Sequence, residues 1–403
     1  MCAIGLGLKV QGARLSIARA ITMGALMRES RWQQFDFAIV ACVLGLVLAG
    51  VAMIHSATCG PSCTGLLPPS SYAVRQGVSA AVGLAVLVGI SLIDYRIYRV
   101  YAFHLYGFAV ALLILVLLIG RGGADSDYGS KRWIYLGVFD LQASEVAKLA
   151  VLVVLARVLG DKPAGPLSFR RLLASLGLVM VPVGLVFVEP DLGTSLSFLT
   201  IWVTLILVAG LRLRHALLLL ASSLLASPLV WLGMKDYMRE RLVTFIGTLV
   251  DLEHAAFDEG YNVLQARISI GSGGLFGRGY LEGTQSQLGF LRITQSDFIF
   301  SAAAEELGFI GASVLFCLFV MLLFRVTRAA DLSRDDFGRL LAFGVGAMIL
   351  FAAVANLGAN LTLLPVTGIP LPFISYGRTS LLTNLAALGI VQSVLLYRLK
   401  YRY

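Results

Sequence analysis

The chain has 403 residues, 58% of them hydrophobic and only 14% charged, with a mean hydropathy of +0.86. This excludes an ordinary soluble domain, and it makes the net charge of +9 a matter of membrane topology rather than of nucleic-acid binding. Cys2, Cys42, Cys59, Cys63 and Cys317 lack the two-pair spacing of a zinc site, so no metal site follows from them.

Residues 1–36 read as a cytoplasmic lead-in carrying Lys9, Arg14, Arg19, Arg28 and Arg31, without the apolar core of a signal peptide, and Met27 offers a second candidate start. From there on, stretches long enough to cross a bilayer as helices, roughly 20 residues each, recur about ten times. They fall at 37–55, 73–93, 101–120, 143–159, 169–188, 192–210, 214–232, 298–324, 338–360 and 374–397. The expected fold is an all-α polytopic membrane protein of about ten transmembrane helices, a single domain over 37–403. Basic clusters alternate with the spans: Arg96 and Arg99; Arg157, Lys162, Arg170 and Arg171; Arg212 and Arg214; Arg325, Arg328, Arg334 and Arg339; then the tail. The short loops 56–72, 189–191 and 361–373 have no Lys or Arg, so both termini are expected in the cytoplasm. The longest loop, about 233–297 between the seventh and eighth spans, is then extracytoplasmic. In the first outer loop Cys59 and Cys63 flank a Gly-Pro turn, where a disulfide and two free thiols are equally open readings.

Charges inside the spans cost on the order of 2.5 to 3.5 kcal/mol each, so each needs a reason. Glu145 and Lys148, three apart, can pair on one helical face, either to fix packing or to line a polar cavity. Asp297 follows Ser296 at the brink of the eighth span, where a helix cap is the plain reading and a carboxylate at the membrane surface the functional one. Glu305 sits about 12 Å deeper than Asp297 and about 80° around the helix, so at most one of Glu305 and Glu306 shares its cavity. Lys131, Arg132, Arg239, Arg241, Arg267, Arg278 and Arg292 break the positive-inside pattern on the outer side, and suit an anionic ligand or nearby acids. The stretch GSGGLFGRG, 271–279, is no P-loop, and reads either as a nest of N–H groups for phosphate or as a flexible turn.

Taken in order, SKRWIYLG, LQASEVAKL, EPDLGTS, RERLVTF, YNVLQARISIGSGGLFGRGYLEGTQSQLGFL, SDFIFSAAAEELGFIG and NLTLLPVTGIPLPFISYG resemble the SEDS family (shape, elongation, division and sporulation) over nearly the whole chain. EGTQSQLGFL is more similar to its elongation branch, RodA, than to its division branch, FtsW. The resemblance implies a ten-helix fold and peptidoglycan glycosyltransfer, in which lipid II is polymerised at the outer face of the bacterial inner membrane. It places the family's essential acid on Asp297. Lys131, Arg132, Trp133, Arg239, Arg241, Gln265, Arg278 and Gln285 become candidates for the diphosphate or sugar. Glu145, Lys148, Asp191, Glu305 and Glu306 become cavity or structural polar groups. No cofactor is identified, although a divalent cation could share the neutralising of the diphosphate. The implied partners are a class B penicillin-binding protein and other membrane proteins of the elongation complex. Ala143, Arg292 and Arg378 depart from the family's usual Pro, Pro and Gly. A lipid II flippase, using the same polar cavity without bond chemistry, is the alternative.

Overall fold

The structure is a computed structural model that describes residues 33–59, 71–120, 132–135, 137, 140–161, 165–250, 260–291 and 293–398. Lys131, Arg292, Cys63, most of the lead-in and the tail beyond 398 lie outside the described residues. The long helices are α1 (Phe37–Cys59), α2 (Tyr72–Ser91), α3 (Arg96–Ile119), α4 (Ala143–Gly160), α5 (Phe169–Val188), α6 (Leu192–Val208) and α7 (Leu213–Gly233). The long loop after α7 folds into α8 (Asp236–Val250), α9 (Tyr261–Ser272) and the short α10 (Thr284–Gln287), and is followed by α11 (Ile299–Asp331), α12 (Asp336–Asn360) and α13 (Arg378–Leu396).

Eight of these helices are long and apolar enough to cross a membrane. The expected ten are completed by α6, which has 17 residues, and by α4, which carries Glu145, Lys148 and Arg157. Burial explains why α4 tolerates its charges: Leu152, Val154, Leu155 and Ala156 are fully enclosed, and α3, α5, α6, α12 and α13 pack around it. No lipid meets its polar face. Small residues let the helices close up. A Cβ on Gly344 of α12 would stand 2.1 Å from Leu152, and one on Gly83 of α2 would stand 2.3 Å from Leu385.

One feature of α11 is absent from its hydropathy pattern. Gly308 adopts φ 67° and ψ −170°, which breaks the helix in its outer third. The break frees amides and carbonyls that must find partners at that depth. Segment 274–279 supplies them: Phe309 N donates to Gly274 O (2.9 Å), Ile310 N to Leu275 O (3.1 Å), Arg278 N to Glu305 O (3.0 Å) and Gly279 N to Glu306 O (3.1 Å). In the stretch read as a phosphate nest or flexible turn, the amides of Gly277, Arg278 and Gly279 are thus taken by protein carbonyls, and the segment is tied to the broken helix. Glycine is required there, since Gly277 has φ +83° and its Cβ would lie 2.1 Å from Glu306 O.

A two-stranded antiparallel hairpin, β1 (Trp133–Tyr135) and β2 (Asp140–Gln142), lies just before α4. Thr379 Oγ1 donates to Asp140 O (2.8 Å) and Arg378 Nη2 to Asp140 Oδ2 (3.0 Å). Arg378 thus braces the hairpin against α13. Ala143 takes the first helical position of α4, where a proline would also fit.

Candidate active site

Asp297 sits in the turn that enters α11, and three elements fix its main chain. Its N–H donates to Ile293 O (3.3 Å). Its carbonyl accepts from Asn356 Nδ2 (3.1 Å) and Asn360 Nδ2 (2.9 Å), both on α12. Asn360 Oδ1 then accepts from Ser301 N (3.2 Å) and Ser301 Oγ (2.6 Å), locking the first turn of α11 to the same asparagine. From the other side Tyr376 N donates to Gln295 O (2.8 Å) and Ser375 Oγ to Ser296 O. The N-cap of α11 is Phe298, without a side-chain cap bond, so the plain reading of Asp297 as a capping residue is corrected. Its backbone is held by amides, which leaves the carboxyl to face the cavities beside it.

Two cavities meet at Asp297. One, of about 210 Å³, is walled by Arg132, Trp133 and Asp191, by Ser296, Asp297 and Tyr376, and by Glu145 and Lys148 of α4. The other, of about 160 Å³, lies under α8 and α9 and is walled by Arg241, Thr244, Thr248, Asn262 and Asp297. Burial pushes the Asp297 carboxyl above the usual carboxylate range, against the opposing pull of the Ser296 hydroxyl and the Arg241 guanidinium. The result is a half-buried acid with raised proton affinity, shared by two polar spaces that each contain an arginine.

The structure sorts the other candidates. Lys148 Nζ donates to Glu145 Oε1 at 2.8 Å, and both residues are buried yet border the first cavity. Arg132 Nε donates to Glu189 O (3.2 Å), Nη2 to Pro190 O, and Nη1 lies 3.9 Å from Asp191. Asp191 caps α6 by accepting from Thr194 N (3.0 Å) and Thr194 Oγ1 (2.9 Å). Neighbouring Glu189 has its carboxyl pushed up to about 8 by burial and by Asp191, with Arg132 opposing.

Among the outer cations Arg241 borders the second cavity, whereas two others brace helix ends. Arg239 donates to Trp231 O (3.1 Å) and Leu232 O (2.9 Å) at the end of α7, and Arg278 donates to Ser272 O (3.3 Å) at the end of α9. Lys131 lies outside the described residues. Gln265 is half-buried on α9 and borders neither cavity.

Glu305 and Glu306 also stand apart from Asp297, and neither borders its cavities. Glu305 Oε1 accepts from Thr284 Oγ1 (3.1 Å) and Gln285 N (2.9 Å). Glu306 accepts from Leu281 N (3.2 Å) and from Ser56 Oγ of α1, while Gln287 Nε2 donates to Ser56 O (2.9 Å). Both acids therefore anchor segment 281–287 against α1 and α11, the structural one of the two uses open to them from the sequence. Gln285 belongs to this anchor.

Sequence reasoning missed Asn356 and Asn360. Their signal was present, as two amides four residues apart on one face of an otherwise apolar helix, FAAVANLGAN. A cavity of about 930 Å³ is an apolar trench between α9, α11 and α12 that has no charged side chain in its lining and does not reach Asp297.

Comparison with known proteins places this geometry. The family model FTSW_RODA_SPOVE, described as cell cycle protein, matches residues 36–400. Peptidoglycan glycosyltransferase MrdB of Escherichia coli (strain K12) is 37% identical over 322 residues, 79% of this chain and 84% of that protein. A chain from a structure of a peptidoglycan synthase complex that coordinates polymerization and crosslinking superposes with a TM-score of 0.75 at 31% identity, covering 90% of this chain and 98% of its own. The crystal structure of the rod shape determining protein RodA of Thermus thermophilus superposes with a TM-score of 0.64 at 30% identity, covering 92% and 98%.

Proposed function

The chain belongs to the FtsW, RodA and SpoVE family of cell cycle proteins, and from that premise we propose that it is a peptidoglycan glycosyltransferase that polymerises lipid II. The multi-pass helices support a membrane enzyme, and the basic-loop asymmetry supports an inner-membrane placement with both termini in the cytoplasm. The likeness to MrdB and RodA, together with EGTQSQLGFL, supports work in cell elongation. The related complex couples polymerization to crosslinking, which supports a class B penicillin-binding protein as partner.

The observation that carries the reading is Asp297 on the wall of two arginine-bearing cavities. Lipid II joins a disaccharide to a polyprenyl chain through diphosphate. Chain growth removes a proton from a sugar 4-hydroxyl, forms a bond from that oxygen to an anomeric carbon, and breaks the bond from that carbon to the diphosphate. Asp297 takes the proton, and its raised proton affinity makes it a better base than an exposed Asp. One reacting end occupies each cavity. Arg241 in one cavity is the cation for the departing diphosphate, and Arg132 in the other faces the diphosphate that the acceptor keeps, in a water-poor setting that strengthens both. Direct displacement inverts the carbon, turning an α-linked donor into a β-linked product. A divalent cation assisting Arg241 at the diphosphate is part of the proposal.

The test supplies fluorescent lipid II to the purified protein with its transpeptidase partner, and follows glycan polymer. Asp297→Asn is expected to fold normally and to polymerise about 10² to 10⁴ times more slowly. Equal rates in variant and parent defeat the base assignment. Lipid II crossing reconstituted vesicles without polymer in either protein establishes transport instead.

A further inference from the structure

At the end of the bundle read above as cytoplasmic, α3, α4 and α5 each carry an arginine, and the one on α3 pairs with an acid. Arg99 of α3 pairs with Asp161, the residue just after α4. Arg157, in the last turn of α4, donates Nη1 to the carbonyls of Arg99 (2.9 Å) and Val100 (3.2 Å) and lies 4.9 Å above the Phe103 ring. Arg171 enters from α5. Tyr106 Oη of α3 donates to Leu178 O of α5 (2.9 Å), and the two helices run in the same direction. Counting back about two turns on each brings Arg99 and Arg171 to one level.

Arg171 Nη1 is fully buried and has no hydrogen-bond partner among the described residues. A guanidinium cannot shed its proton to relieve that cost, and Asp161 is already held by Arg99. Topology accounts for basic residues on this side of the membrane, but not for a buried donor without an acceptor. A bound oxyanion accounts for both. Beside the junction Val100, Phe103 and Leu173 are 65%, 48% and 49% exposed, an apolar flank suited to acyl chains. We propose that an anionic phospholipid of the cytoplasmic leaflet seats its headgroup phosphate in the junction of α3, α4 and α5, hydrogen-bonded by Arg171 and Arg157. Basic recesses between transmembrane helices bind such headgroups by the same chemistry.

The full chain in phosphatidylcholine nanodiscs is titrated with phosphatidylglycerol, following the thermal midpoint and the lipid retained in native mass spectrometry. Phosphatidylglycerol is expected to raise the midpoint of the parent. Arg171→Gln is expected to lose most of that rise and to hold the lipid about fivefold more weakly, with Arg171→Lys in between. Arg214→Gln, at the start of α7 and outside the junction, is expected to respond as the parent does. Equal responses of the parent and Arg171→Gln, or an equal loss in Arg214→Gln, overturn the site. Soluble glycerol phosphate matching the effect of phosphatidylglycerol overturns the lipid assignment. Should Arg171→Gln fail to fold, Arg157→Gln decides by the same criteria.

Discussion

Asn360→Ala tests whether the amide clamp on α12 positions the acid. Asn360 is fully buried. Its loss removes the 2.9 Å bond to the Asp297 carbonyl and strips the Ser301 hydroxyl of its 2.6 Å acceptor. Asn356 still holds the same carbonyl at 3.1 Å, so that oxygen keeps a donor. The Ser301 amide loses its 3.2 Å contact with Asn360 but keeps Phe298 O, so one stranded hydroxyl and the lost bond to the Asp297 carbonyl put the destabilisation at about 2 kcal/mol, within the range for buried polar groups left unpaired. The Asp297 carbonyl then rests on a single amide, and a drift of about 1 Å in a reacting group costs up to about 10²-fold in rate. The expected outcome in a lipid II polymerisation assay is a fall in kcat of about 10- to 100-fold with KM nearly unchanged. Introduced into Asp297→Asn, the same change should cost no further activity, because it acts only through the acid it positions. A variant that loses stability but keeps the parental kcat refutes the positioning argument. So does one that slows the Asp297→Asn protein as much as the parent.

The pH–rate profile follows from the buried carboxyl: polymerisation should fall on acidification at a pH above the ordinary Asp value of 3.8, and Asp297→Asn should erase that limb. Glu189 predicts a separate effect on stability. Its folded value of about 8 exceeds the ordinary 4.5, so folding favours the protonated form. Stability is then full below about pH 4.5 and declines as pH rises through about 8, and Glu189→Gln should flatten a thermal-midpoint titration over that window. Gly277→Ala places a Cβ 2.1 Å from Glu306 O at φ +83°, and should cost about 1–3 kcal/mol from the backbone conformation alone, read as a lowered midpoint. Lys148→Met should destabilise by about 3–5 kcal/mol through an unpaired Glu145, whereas Glu145→Gln combined with Lys148→Met should fold and still polymerise poorly.

Helix positions were legible because bilayer crossing imposes one strong rule, and both edges of α5 were read to the residue as 169–188. The loops were not legible, since their folding is governed by particular bonds rather than by periodicity. α8, α9, the hairpin and the docking of 274–279 into α11 depend on which carbonyl meets which amide. Gly308 could not be recognised as a break from hydropathy because a single glycine scarcely alters an apolar run. Arg239 and Arg278 show the same limit: an outer arginine suits phosphate and a helix end equally well, and only placement separates the two uses.

The three acids near the eighth span show how that separation works. Glu306 is bonded to a hydroxyl and an amide, and Glu305 to a hydroxyl and an amide, all from surrounding protein. Glu306 Oε1 and Oε2 and Glu305 Oε1 are taken up by donors of neighbouring segments, and their effect is to hold the loop. Asp297 reverses the arrangement: the protein bonds its carbonyl through two asparagines, while the residue lines two cavities and, among the described residues, its carboxyl meets only the neighbouring Ser296 hydroxyl and the field of Arg241. A carboxylate that merely stabilised the fold would gain from the opposite allocation, with donors on its side chain and its main chain in the helix ladder. Fixing the backbone and leaving the side chain to the cavities is the allocation a base requires, because the proton acceptor must be immobile yet not saturated by protein donors. On local sequence evidence the three carboxylates carry equal weight, and it is the destination of each oxygen's hydrogen bonds that assigns two of them to structure and one to chemistry.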